Sequence, residues 1–293
     1  MRLPALQSNQ GMISLLELDQ ALFLAEAMGI DLNLQGGQEQ LEQILAEIIT
    51  QLAPHTSAVA ADSNYSFPKL MNDIEHGLVL RLTRLADDLS PNNLPQLAHN
   101  WGMEEIANNF AVAKLDLWYH PQEELALEKK KLVAELFSYA KHLQIDFMIK
   151  LNLFSLLQPA EEQLNLPETA ATLPFTELQL LAIQELRSSC DIFALQYPGD
   201  PLGAATITAE LDQPWIVSLE NQPDYEETKK QLRISLENGA IGFTAGAVFW
   251  KELGQLRRAD QSPDLEKIQQ LIQTLARDRV IELVRIANEF RKS

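Results

Sequence analysis

The sequence predicts one α/β domain over residues 1–293, folded as a (β/α)8 TIM barrel. Three observations predict it. Eight short apolar runs alternate with longer amphipathic stretches. The chain has 293 residues, and such barrels typically need roughly 250. No low-complexity linker divides it. An open doubly wound sheet shares this periodicity, but it normally carries a Gly-rich phosphate turn after its first strand, and none follows here.

The strand runs fall at 12–19 (MISLLELD), 56–62 (TSAVAAD), 77–83 (GLVLRLT) and 110–119 (FAVAKLDLWY). Four more follow at 145–152 (IDFMIKLN), 190–197 (CDIFALQY), 214–220 (PWIVSLE) and 240–246 (AIGFTAG). The clearest helical periodicities are 38–52, 122–142, 175–188, 223–238 and 264–290. The longest irregular piece, 155–174, follows the fifth strand and belongs at the barrel mouth; it reads as a plain insertion rather than a lid.

Composition narrows the function. A net charge of −18 repels phosphate backbones and anionic membranes, so neither nucleic acid nor a membrane is expected as a partner. The cluster Lys129-Lys130-Lys131 and the pair Arg257-Arg258 read as solvated helix faces or caps. The single cysteine, Cys190, allows no intrachain disulfide, and residues 1–20 show no charged start followed by an apolar run. A cytoplasmic protein is the expectation. None of His55, His76, His99, His120 and His142 falls in a paired metal spacing, so no metal or cofactor is expected, and His120 reads as a surface residue.

Strand alternation then selects the side chains that face the barrel interior, because the face packed on helices must be apolar. The first strand contributes Glu17 and Asp19, followed by Gln20; the second contributes Asp62; the third, Arg81 and Thr83. The fourth contributes Lys114 and Asp116; the fifth, Met148, Lys150 and Asn152. The sixth contributes Ala194 and Gln196, and the seventh Ser218 and Glu220. Five carboxylates and three cations therefore converge, and they must pair or reach solvent. Two readings stand: a ligand site at the C-terminal strand ends, or a self-neutralising ionic plug.

Local motifs add a resemblance. The segment LPQLAHNWGMEEIANNFAVAKLDLWYHPQEE (94–124), with EKKKLVAEL (128–136), CDIFALQYPGDP (190–201), PWIVSLE (214–220), NGAIGFTAGAVFWKE (238–252) and the opening GMISLLELDQ (11–20), resembles tagatose 1,6-bisphosphate aldolases and their sulfosugar-phosphate relatives. The resemblance implies a class I aldolase barrel, in which a sixth-strand lysine attacks a ketone and forms a Schiff base. The family motif Asp-x-x-Lys-x-Glu-x-Pro meets Asp191-Ile192-Phe193-Ala194-Leu195-Gln196-Tyr197-Pro198 here, so the lysine position is Ala194. The family's fifth-strand glutamate meets Lys150, and its two phosphate-holding arginines meet Ala21 and Ala247. Asp19, Gln20, Trp101, Lys114 and Tyr119 match, Trp101 reading as a packing residue.

The resemblance and its departures favour a non-catalytic relative acting as a binding, scaffold or regulatory protein, partnered by another protein or by a small carbonyl or sugar ligand. The alternative is a carbon–carbon lyase acting on a non-phosphorylated carbonyl substrate through a relocated lysine, Lys150 or Lys114. Two neighbouring ammonium groups would lower each other's pKa, with the nearby carboxylates working against this. Ordinary cleavage of a sugar bisphosphate is the third reading. The apolar stripe along 264–290 is expected mostly to cover the barrel, its remainder forming a homodimer contact; the alternative is a monomer.

Overall fold

The computed structural model describes residues 3–70, 76–84, 93–99, 101–156, 173–219, 224–260 and 262–290. Eight parallel strands close in sequence order into one barrel. They are β1 (Ile13–Glu17), β2 (Ala58–Ala61), β3 (Gly77–Arg81), β4 (Val112–Tyr119), β5 (Phe147–Leu153), β6 (Ile192–Gln196), β7 (Trp215–Leu219) and β8 (Gly242–Ala245). The surrounding helices are α1 (Ala21–Ala27), α2 (Gln35–Leu52), α3 (Phe67–Leu70), α4 (Met103–Asn108), α5 (Ala126–His142) and α6 (Phe175–Leu186). The chain continues through α7 (Pro201–Glu210), α8 (Tyr225–Glu237), α9 (Ala247–Trp250), α10 (Leu265–Leu271) and α11 (Arg277–Glu289).

Both faces of a parallel sheet are buried, so the strands read as near-continuous apolar runs. Alternate residues divide into two cores. One set, including Leu16, Ala61, Leu80, Leu115, Phe147, Ile149, Leu195, Val217 and Phe243, packs against the helices. The other fills the N-terminal half of the barrel: Ile13, Leu15, Ala58, Ala60, Val79, Val112, Met148, Ile192, Ala194 and Ile216. Leu6, from the turn Leu3–Leu6, plugs that end. Gly77 makes room for the plug, since a Cβ there would lie 2.4 Å from the Ala5 carbonyl oxygen. With the lower half filled by hydrocarbon, the polar inward side chains are confined to the C-terminal half.

Several helix ends differ from the sequence expectation, for local reasons. The helix expected from 122 begins at Ala126, because residues 120–125 form a turn closed by the Glu123 carboxylate, which accepts the His120 N–H at 2.9 Å. Asp224 and Asp264 cap α8 and α10 through the backbone N–H groups of Glu226 (3.0 Å) and Lys267 (3.4 Å). The long terminal helix carries a π-helical stretch, Ile272–Ala276, between α10 and α11. Its apolar stripe does cover the barrel: Ile268, Ile272, Val280, Leu283 and Ile286 are buried, while Leu275 and Ile281 stay exposed. The core of the irregular stretch after β5, residues 157–172, lies outside the described residues.

Two expectations are corrected. Lys129 is not on a solvated face: it is fully buried, donating to Glu123 Oε2 at 2.6 Å and to the Trp118 carbonyl at 2.9 Å. His120 is not a surface residue. It is buried, its Nδ1 accepts the Gln122 N–H at 3.1 Å, and burial lowers its pKa. The turn at 120–125 folds back over the end of β4 and encloses both.

Candidate functional site

The parallel register sets which inward side chains meet. Arg81 on β3 is level with Lys114 on β4, Asp116 with Lys150 on β5, and Lys150 with Ala194 on β6. Lys150 thus stands directly beside the Ala194 methyl group.

Three cations and three carboxylates close into one buried network across the barrel. Lys114 Nζ lies 2.6 Å from Asp19 Oδ2, 3.1 Å from Glu17 Oε1 and 3.3 Å from Asp116 Oδ1. Lys150 Nζ donates to both oxygens of Glu17, at 2.7 and 2.9 Å. Arg81 Nη1 lies 3.2 Å from Asp116 Oδ2 and also donates to the Asp19 carbonyl at 3.3 Å. Arg81 Nε reaches the Thr83 hydroxyl at 3.1 Å. Lys114 and Asp19 are wholly buried, and the remaining members nearly so.

The electrostatics follow from this geometry. Burial pushes the Glu17 carboxyl upward, but the Lys150 and Lys114 ammonium groups outweigh it and hold Glu17 far below the usual carboxylate range. Asp116 is lowered in the same way, burial being overcome by Lys114 and Arg81. Asp19 goes the other way. Burial, reinforced by its neighbours Asp116 and Glu17, wins over Lys114 and raises its pKa. Its Oδ1 has no hydrogen-bond partner among the described residues. For Lys114 burial favours the neutral amine, yet Asp116, Asp19 and Glu17 together drive its pKa well up. The carboxylates expected to work against a mutual lowering of the two lysines prevail at Lys114, where Asp116, Asp19 and Glu17, all within 3.3 Å, outweigh the Arg81 cation.

Other expected site residues fall outside this network. Asp62 is buried at the end of β2, but its carboxylate caps its own loop, accepting the N–H groups of Asn64 and Tyr65 at 2.8 Å and the Ser66 hydroxyl at 2.8 Å. Gln196 braces β6 against β5, its Oε1 accepting the Leu153 N–H at 3.0 Å. Asn152 and Ser218 are buried at the same level. Glu220 lies outside the described residues. Of the two positions that the sequence resemblance sets against arginines, Ala21 is buried at the start of α1 and Ala247 is exposed at the start of α9. Gln20 is half-buried beside Ala21.

Thr244 on β8, absent from the inward residues expected from the sequence, has a buried hydroxyl with no partner among the described residues. Alternation against the outward Phe243 and Ala245 was the available signal. A cleft of about 150 Å³ lies between the ends of β1 and β8, lined by Glu17, Gln20, Phe23, Trp250, Lys251 and Leu253 among others.

No family profile matches the sequence, and comparison with curated proteins gives no match. Solved structures do match. An archaeal fructose 1,6-bisphosphate aldolase aligns over 96% of this chain and 98% of its own, with 15% identity and a TM-score of 0.63. A Schiff base-forming fructose-1,6-bisphosphate aldolase aligns over 94% and 97%, at 14% identity and a TM-score of 0.59. The Plasmodium falciparum fructose-bisphosphate aldolase aligns over 100% and 94%, at 10% identity and a TM-score of 0.63. At these identities the likeness is one of fold. The chain is an aldolase-like TIM barrel.

Proposed function

We propose that this chain resembles the tagatose 1,6-bisphosphate aldolases in architecture, performs no Schiff-base chemistry, and acts as a binding, scaffold or regulatory protein. The observation carrying this reading is the engagement of the inward amines. Imine formation needs a free amine lone pair aimed at a carbonyl. Lys114 is enclosed by three carboxylates at 2.6–3.3 Å and Lys150 is a donor to both Glu17 oxygens. The position beside Lys150 holds only the Ala194 methyl. Removing the two arginines that the family resemblance implies also removes bidentate recognition of phosphate. The partner is then another protein or a small carbonyl or sugar compound.

One observation favours a second reading. Lys150 is in register with Ala194 and, with its side chain 8% exposed, is the more accessible of the two lysines. A carbon–carbon lyase on a non-phosphorylated carbonyl substrate would use it as the relocated nucleophile, after Glu17 is displaced. Lys114 does not serve this reading, since its carboxylates hold it as ammonium.

Calorimetry and an aldol-cleavage assay with tagatose and fructose 1,6-bisphosphate test the proposal. No cleavage and no sub-millimolar binding are expected. Turnover of either compound overturns it.

A further inference from the structure

A hollow of about 430 Å³ lies at the N-terminal end of the barrel, opposite to the end that holds the ionic network. The turn after Leu6, the starts of β1, β2 and β3, and α11 surround it. Its volume falls within the roughly 300–1,000 Å³ of small-molecule pockets.

Hydrogen bonds fix the walls. The Ser57 hydroxyl donates to the Leu6 carbonyl at 2.7 Å and accepts the Ser14 N–H at 2.8 Å, while the Ser14 hydroxyl accepts the Ser57 N–H at 2.9 Å. Gln7 bridges Ile13 in antiparallel fashion, and the Ser8 N–H donates to the Met12 carbonyl at 2.8 Å. The Thr56 hydroxyl donates to the Ala53 carbonyl at 3.0 Å and closes the turn that carries His55.

The lining is polar but carries no formal charge. Charged residues are 22% of the chain, yet no Asp, Glu, Lys or Arg is among the twelve described residues that line the hollow. Gln7, Asn9, His55, His76 and Asn288 line it, and their side chains make no hydrogen bond to another described residue. Burial and the Arg277 guanidinium lower the pKa of His55, so at neutral pH its imidazole donates at one nitrogen and accepts at the other. The amides of Gln7, Asn9 and Asn288 likewise both donate and accept. A ligand hydroxyl has the same double capacity. A cation would find no carboxylate here. An anion would meet the field of a chain with net charge −18, and the arginine of the adjoining groove, Arg285, is already paired with Glu289 at 2.8 Å.

We infer that this hollow binds a neutral polyhydroxyl compound, a monosaccharide or its polyol, through the side chains of Asn9, His55, His76 and Asn288. The site stands at the far end of the barrel from Lys114 and Lys150, so it is independent of whether those lysines form imines.

The test is titration of the full chain with glucose and sorbitol and with their charged counterparts, glucose 6-phosphate and N-methylglucamine, followed by the NMR signals of His55, His76 and Asn288. At least one neutral compound is expected to shift these signals saturably, and its charged counterpart to bind about tenfold more weakly. Asn288→Ala and His55→Ala should each weaken binding about three- to tenfold, the loss of one hydrogen bond, while circular dichroism stays native. No saturable shift with either neutral compound overturns the inference, as does a charged counterpart that binds equally well. Shifts around Lys150 with His55, His76 and Asn288 unmoved also overturn it, since the compound then sits at the barrel mouth. Should Asn288→Ala not fold, His55→Ala, at an exposed position, decides: undiminished binding there overturns it.

Discussion

Replacing Lys114 by methionine keeps the volume of the side chain close to native and removes the charge at the centre of the ionic network. Lys114 is wholly buried and touches Asp19, Glu17 and Asp116 at 2.6, 3.1 and 3.3 Å. After the change three buried carboxylates face only Arg81 and Lys150. Removing one partner of a buried ion pair costs about 3–5 kcal/mol, because the charge left behind is neither solvated nor paired. At about 2–4 °C per kcal/mol for a domain of this size class, the melting midpoint should fall by roughly 6–20 °C. Urea unfolding followed by circular dichroism gives the free energy, and Lys114→Met/Asp19→Asn closes a double-mutant cycle. Its coupling should lie between about 0.5 and 3 kcal/mol, as for residues in direct contact. Lys230→Met, at a solvent-exposed pair with Glu227, serves as the control and should leave the midpoint near native. A Lys114→Met loss below about 1 kcal/mol would refute the argument that the network is desolvated.

Acid should weaken the fold through the same network. Glu17 and Asp116 have depressed pKa values, so their stabilisation is present above their unfolded values, 4.5 and 3.8, and is lost as pH falls below them; Asp19, raised, acts in the opposite sense. Glu17→Gln should flatten the acid limb of stability against pH, and an unchanged limb contradicts the assignment. Arg279→Lys should destabilise the barrel by about 1–3 kcal/mol in urea, since an ammonium cannot reproduce the two bonds to Glu252; a fully native variant refutes that bidentate account. A homodimer through the terminal helix would use Leu275 and Ile281, each 41% exposed. Light scattering at micromolar concentration should then show Ile281→Glu returning it to a monomer, and a native chain that is already monomeric sinks that expectation.

The inward phase of the strands was legible because both faces of a barrel strand are filled. In β4, Ala113, Leu115 and Leu117 had to pack on helices, so Lys114 and Asp116 had to converge on the interior. Pairing partners were not legible. Asp62 has the same phase as Glu17, yet the Ser-Asn-Tyr-Ser stretch after it offers backbone donors that capture its carboxylate first. Lys129 read as part of a solvated run because its partner, Glu123, lies six residues away in a turn rather than one helical turn away. The sign of the Lys114 shift depended on distances to three carboxylates against that to Arg81, which alternation alone does not supply. The cleft needed closure of β8 onto β1, which brings α1 and α9 together from opposite ends of the chain.

Borohydride trapping, read by intact mass, addresses the central claim most directly. The native chain is incubated with a broad panel of ketones and aldehydes, reduced and weighed, with Lys150→Ala in parallel. With Lys114 enclosed, Lys150 bound to Glu17 and a methyl at Ala194, no adduct at an inward lysine should form. A reduced adduct that maps to Lys150 and disappears in Lys150→Ala would contradict the account and establish the relocated nucleophile.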